Sequence, residues 1–255
     1  MKWYERFGLA KNPFTTDPFE SDYTLVNYSD LVDDLFYYTA SGSIVLLEGG
    51  EGTGKTMFLR QIIERFRGEG KVVYVNGDKL NKNLDVEEIL NQKGGGLLGK
   101  MMGRKPKGMI LLLDDVSRIT EKTFEKIKYY FDQDYIRSVI FTAEDKERLH
   151  MPESIHDRIA GRFIQIPPLI NFDALRIIRE RFSDHFFLSD AVIMELFRIS
   201  EGNIKRLLQN CDTVCEFVVQ QGRGEVLPKY ITLALNMQQT EHDFRAPAHG
   251  IEVYE

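Results

Sequence analysis

Eight consecutive residues, Gly49-Gly50-Glu51-Gly52-Thr53-Gly54-Lys55-Thr56, fit the spacing G-x-x-x-x-G-K-[ST]. These residue types at this spacing are suited to holding a polyphosphate. Glycines let successive backbone N–H groups curl around a β-phosphate, and a helix starting behind them offers the positive end of its dipole. Lys55 is placed to reach the β- and γ-phosphates and the Thr56 hydroxyl to ligate Mg2+. Gly50, Glu51, Gly52, Thr53, Gly54 and Met57 complete the expected cradle. A second constellation is Met109-Ile110-Leu111-Leu112-Leu113-Asp114-Asp115, an apolar run that ends in two acids. A buried strand of this kind delivers Asp114 beside the phosphate loop, where it holds Mg2+ largely through water because that ion dehydrates reluctantly. Asp115 is then placed to orient or activate an attacking water. The expected chemistry is binding and hydrolysis of a nucleoside triphosphate.

Elements able to position these residues are legible around them. Short apolar runs at Ser43–Leu47, Val72–Val75, Met109–Leu113, Val139–Thr142 and Phe163–Ile166 alternate with helical patterns such as Met57-Phe58-Leu59…Ile62-Ile63…Phe66. Fully apolar strands separated by helices imply a parallel sheet covered on both faces. After Pro167-Pro168 only amphipathic helical patterns follow. The expected fold is therefore α/β, an αβα sandwich with a parallel five-stranded sheet, followed by a small all-α domain. The expected boundaries are 1–168 for the α/β core, 169–237 for the helical part and 238–255 for a polar tail.

Composition narrows the setting. The chain of 255 residues carries 33 basic and 39 acidic residues, a net charge of −6, with 43% hydrophobic residues. These values exclude a mainly disordered, collagenous or coiled-coil chain. No apolar run approaches the ~20 residues of a membrane span, and no secretory or transit pattern opens the sequence, so a cytoplasmic protein without a membrane partner is expected. The two cysteines, Cys211 and Cys215, lie four apart in a helical pattern and read as small buried residues. One segment departs from the average: Lys93–Lys107 holds five basic residues, five glycines and no acid, leaving a net charge of −11 elsewhere. Lys93, Lys100, Arg104, Lys105 and Lys107 are candidates for touching a nucleic-acid backbone.

The phosphate loop, the acid-terminated strand and the opening Phe7-Gly8-Leu9…Asn12-Pro13-Phe14 together resemble AAA+ P-loop ATPases. The resemblance covers roughly residues 5–235 and points to the ExeA/TniB-like and origin-recognition initiator-like groups. It implies that Leu25 and Val26 wall an adenine, although Asn27-Tyr28 stands where the family commonly has Gly-Arg. It implies that Thr142 is the polar sensor of the γ-phosphate or lytic water. In the segment Ile155–Phe163 it makes Arg158, then Arg162, the arginine finger inserted into a neighbouring subunit's site. In Gly202-Asn203-Ile204-Lys205-Arg206 it resembles the second-sensor motif G-x-x-R, with Lys205 at the arginine position and Arg206 beside it. Asp115 replaces the family's usual glutamate base and is one methylene shorter, which implies slow hydrolysis.

The resemblance implies ATP and Mg2+ as ligands and self-association into a ring or helical oligomer. Three roles follow: a DNA-associated ATPase in replication, recombination or transposition; an ExeA-like assembly or remodelling ATPase acting on protein partners; and a nucleotide-gated scaffold with slow turnover. The length accommodates core and lid with little over, so a separate recognition subunit is expected to supply DNA reading.

Overall fold

The computed structural model describes residues 2–20, 23, 25–68, 72–76, 86–87 and 107–245. They form two compact units, one spanning Thr24–Leu169 and the other combining Met1–Tyr23 with Ile170–Glu255.

The first unit is an α/β layer structure. Its strands are β1 (Ile44–Glu48), β2 (Val72–Val75), β3 (Met109–Leu113), β4 (Ile136–Ala143) and β5 (Phe163–Gln165). All pair in parallel in the order β2-β3-β4-β1-β5. The helices are α1 (Ser29–Ala40), α2 (Lys55–Arg65), α3 (Glu121–Asp132) and α4 (Glu153–Ile159). Side chains alternate across a strand, and the two faces of the sheet bury separate sets. Val45, Leu47, Ile110, Leu112 and Ile140 pack with Leu35 of α1 and Phe58, Leu59 and Ile62 of α2. Ile44, Leu46, Leu111, Leu113, Val139 and Phe141 pack with Phe124 and Ile127 of α3 and Ile155 and Ile159 of α4. This is the αβα sandwich expected from the apolar runs.

The register aligns the ends that matter. Leu47 pairs with Thr142, Glu48 with Ala143, and Leu113 with Phe141. The carboxyl edges of β1, β3 and β4 thus deliver Gly49, Asp114 and Thr142 to one rim, where open parallel sheets bind ligands. β4 begins earlier than its apolar run because Arg137 and Ser138 interrupt that run. Buried Ser138 is satisfied by donating its hydroxyl to Thr39 O at 2.6 Å.

The second unit is built from α5 (Asn171–Arg181), α6 (Asp190–Ile199), α7 (Ile204–Gln220) and α8 (Pro228–Arg245). Ser189 and Asn203 cap α6 and α7 by accepting the N–H groups of Val192 and Arg206. Cys211 and Cys215 are free and buried in α7, and burial pushes both thiols up. Two differences from the expected boundaries stand out. The amino-terminal 23 residues, assigned above to the α/β core, cluster with the helices. Trp3, Phe7 and Phe14 form an aromatic group with Phe182 and Phe187, and Trp3 Nε1 donates to Asp212 Oδ1 at 2.6 Å. Arg181 fastens the same arm by donating to Pro13 O and Thr15 O. Residues 238–245, expected in the tail, continue α8. Among the described residues no helix is long and apolar enough to cross a membrane.

Candidate functional site

The phosphate loop connects β1 to α2, and its glycines are required by space and by conformation. A Cβ on Gly49 would lie 2.6 Å from Thr53 Oγ1 and 3.1 Å from Ile166 Cβ. Gly54 has φ +94°, which favours glycine. Gly49 N–H donates to Ala143 O at 3.1 Å, tying the loop to the end of β4. At the start of α2, Met57 and Phe58 N–H donate to Gly54 O. Phe58 and Leu59 are fully buried and anchor the helix behind the loop. Among the described residues the amides of Gly52, Gly54, Lys55 and Thr56 have no acceptor, which leaves four donors at a helix N-terminus for an anion.

Lys55 curls over this loop, its Nζ donating to Gly49 O at 2.7 Å and Gly50 O at 2.9 Å. Burial lowers its pKa, opposed first by Glu144 and then by Asp114, Asp115 and Glu51. Asp114 is 8% exposed and bonded through both oxygens. Oδ2 accepts from Thr56 Oγ1 at 2.7 Å and from Tyr74 OH at 2.9 Å. Oδ1 accepts from Thr142 Oγ1 at 2.8 Å. Alternation explains the convergence: Tyr74, Asp114 and Thr142 have the strand parity of Val72, Leu112 and Ile140, which face α1 and α2. A hydroxyl and a carboxylate 2.7 Å apart suit a hard, oxygen-seeking cation. Among the described residues no group of three His, Cys, Asp or Glu gathers elsewhere to hold a metal.

Thr142 lies deeper than a side chain that touches a phosphate directly. It is fully buried, donates to Asp114 and accepts the Asp115 N–H at 2.8 Å, so both functions of its hydroxyl are spent on the two acids. Thr142→Val leaves a buried carboxylate oxygen and a backbone N–H unpaired, so a loss of about 2–4 kcal/mol in unfolding free energy is expected. Denaturant titration checks this, and a variant as stable as wild type contradicts the network.

Asp115 adopts φ +56° and its Oδ1 accepts Ser117 N–H at 3.1 Å, so it shapes the turn leaving β3. Of the two residues expected beside an adenine, Val26 is buried and Leu25 half-buried, with Leu25 Cδ2 3.6 Å from where a Cβ on Gly54 would stand. Tyr28 packs on Phe58 and donates its hydroxyl to Pro167 O, a core role unlike that of the arginine it replaces. Arg158 pairs with Asp132 at 2.9 Å, and Arg162 donates to Arg158 O. Among the described residues neither arginine forms a hydrogen bond or ion pair with the loop. In the helical unit Lys205 is exposed in the first turn of α7, and Arg206 pairs with Glu201 at 3.1 Å. Lys93, Lys100, Arg104 and Lys105 lie outside the described residues, while Lys107 is described and exposed.

Two residues of this site were not read from the sequence. Tyr74 sits in an apolar run and was legible only as a strand residue. Glu144 follows β4 and is exposed; its influence on Lys55 depends on the β1–β4 register.

A parallel sheet with a glycine-rich loop, a lysine and an acid at its carboxyl edge defines a P-loop nucleoside triphosphatase fold. Within that class, the family model described as AAA domain matches residues 41–173, more than half of the chain, and the protein belongs to this family. No curated protein shows a significant sequence match. Among solved structures, the chain is similar to Cdc6p from Pyrobaculum aerophilum at 15% identity and TM-score 0.71, covering 90% of this chain and 71% of that one. The Aeropyrum pernix Orc1 protein, solved in complex with DNA, matches at 16% and 0.73, covering 97% and 73%. The Thermotoga maritima RuvB Holliday junction branch migration motor matches at 15% and 0.62, covering 82% and 69%. These likenesses establish the AAA+ fold.

Proposed function

We propose that the protein is a Mg2+-ATP-dependent AAA+ switch that hydrolyses ATP slowly, self-associates and works on DNA. The observation that carries the ATP reading is the pairing of Lys55, seated on the Gly49 and Gly50 carbonyls, with Asp114, held by Thr56 and Thr142, beside free amides at a helix N-terminus. Asp114 and Thr56 hold the metal, which supplies charge neutralisation between the phosphates. Lys55 holds the phosphates, Leu25 and Val26 flank the base, and Asp115, placed by the hydrogen bond its backbone N–H donates to Thr142 Oγ1, orients water. Lys205 and Arg206 act as the lid's phosphate sensor. Two cations in the first turn of α7 oppose the helix dipole, which fits a function in binding an anion better than one in stabilising the helix. Arg158, with Arg162 beside it, serves a neighbouring subunit across a head-to-tail interface.

The DNA reading draws on the likeness to Orc1, solved with DNA, and to the RuvB branch migration motor. It also draws on α3. This helix has three acids and three lysines, and two of the lysines stand apart from the acids. Glu125 engages Lys128 and Ser154, and Asp132 engages Arg158. Lys122 and Lys126, one turn apart, are exposed without an ion pair among the described residues, between exposed Arg118 and Tyr129. Lys107, last residue of the basic glycine-rich segment, precedes Gly108, whose N–H donates to Asp134 O just beyond the end of α3.

ATP turnover with and without DNA, combined with sizing in ATP and in ADP, tests the reading. Turnover raised by DNA and a larger assembly in ATP are expected; neither change at low salt favours protein remodelling or a static scaffold. Replacing Lys122 and Lys126 by alanine is expected to flatten the dependence of log affinity on log salt by about 2. An unchanged slope removes α3 from the DNA surface.

A further inference from the structure

We infer that Tyr74 is a positioning residue for the metal-bearing carboxylate, fixing Asp114 from the edge of the sheet; the inference rests on the Mg2+-ATP reading of the same site. Among the described residues β2 is an edge strand, and its register with β3 places Tyr74 opposite Leu112 and Val75 opposite Leu113. Asp114 N–H donates to Val75 O at 3.0 Å, carrying the ladder one residue past β3 and holding the acid's backbone beside β2. From there Tyr74 and Asp114 share the face that packs on α1 and α2, and the phenol O–H meets Oδ2 at 2.9 Å.

The need for such a group follows from the carboxylate's own freedom. The terminal torsion of an aspartate is broad and roughly two-fold, so one contact does not fix its plane. Three donors do: Thr142 takes Oδ1, while Thr56 and Tyr74 share Oδ2. The three come from three different elements, β4, α2 and β2. Thr56 is itself one of the hydroxyls that would hold the ion, so its oxygen would be shared between the ion and this contact with Asp114. Tyr74 is not one of the groups that would hold the ion. It holds Oδ2 through a charge-assisted bond. Its phenol reaches Asp114 from β2 at 2.9 Å, a span that the short side chain of a serine or threonine there cannot cover.

Tyr74→Phe keeps the ring and its packing and deletes only the donor. Affinity for ADP and ATP is measured on the full chain in EDTA and in Mg2+, and Mn2+ binding in the presence of ADP is followed by electron paramagnetic resonance. The expected result is an approximately tenfold loss of the Mg2+-dependent gain in nucleotide affinity and a matching weakening of Mn2+. Affinity in EDTA stays within about twofold and the melting temperature is little changed. In an Asp114→Asn background, Tyr74→Phe is expected to have a much smaller effect, since the charged acceptor is gone. A Mg2+-dependent gain that survives Tyr74→Phe overturns the inference alone, as does an equal loss in EDTA, which marks a structural role. Absence of any Mg2+-dependent nucleotide binding in the wild-type chain overturns the ATP reading and this inference with it.

Discussion

Lys55→Met is expected to weaken ATP binding by about 100-fold or more while leaving the free protein as stable as wild type, within about 1 kcal/mol. The first part follows from what the ammonium does. In the free protein its Nζ rests on Gly49 O and Gly50 O, carbonyls of the loop that cradles the anion. Bound phosphates replace those neutral acceptors with charged ones, and a charge-assisted bond is worth roughly 1.5–3 kcal/mol. The second part follows from the direction of its pKa. Burial lowers it from the ordinary lysine value, and Glu144, Asp114, Asp115 and Glu51 only partly offset that. A lysine whose folded pKa is below its unfolded one carries a penalty that is complete below the folded value. The penalty disappears as pH rises past the unfolded value. Removing the charge relieves the penalty at neutral pH, and water can take over the exposed Gly50 carbonyl. The difference in melting temperature between variant and wild type should therefore move in favour of wild type as pH approaches 10. Calorimetric titration with ATP and thermal melts at two pH values check both parts. Saturating ATP should stabilise wild type by about 2.7 kcal/mol at a hundredfold excess over Kd and the variant hardly at all. A variant that binds ATP normally removes the phosphate-site assignment.

The parts of this site that were legible are those carried by local sequence. The loop Gly49–Thr56 announces itself because close approach and left-handed backbone demand glycine at fixed offsets, as Gly49 and Gly54 show. β2 and β3 were legible to the residue because both are unbroken apolar runs. β4 was read short because Arg137 and Ser138 look like its boundary, and only the contact of Ser138 with Thr39, 99 residues away, explains its burial. Contacts of this range account for the other gaps. Tyr74 meets Asp114 across 40 residues, and Trp3 meets Asp212 across 209, which is why the amino-terminal arm looked like part of the α/β core. Thr142 was legible as a polar residue near the end of β4, but its depth was not readable. That depth turns on the register that sets it between Asp114 and the Asp115 amide. The continuation of α8 through Arg245 was missed for a different reason: its residues lack a clear apolar face, so periodicity gave no signal there.

Arg158→Ala is expected to lower ATP turnover by about 10³-fold or more, with ATP binding to the isolated subunit nearly unchanged. Two roles for this arginine predict different magnitudes. Its pair with Asp132 involves side chains 49% and 32% exposed. A solvent-screened pair of this kind contributes about 0–1 kcal/mol to stability and nothing specific to turnover. A guanidinium meeting a transferring phosphoryl group, by contrast, opposes charge that develops only in the transition state. The Asp132 contact also makes a control available. Asp132→Asn removes the same ion pair, so if Arg158 is only a structural partner the two variants should behave alike. If it is a finger, Asp132→Asn turns over ATP at close to the wild-type rate while Arg158→Ala does not. Mixing subunits then tests action in trans. Lys55→Met lacks a working site but has the arginine; Arg158→Ala has the site but lacks the arginine. In an equimolar assembly with a head-to-tail interface, about a quarter of the interfaces join an intact site to an intact finger, and turnover should recover to that level. Recovery cannot occur if Arg158 serves its own subunit, because neither variant then contains a complete site.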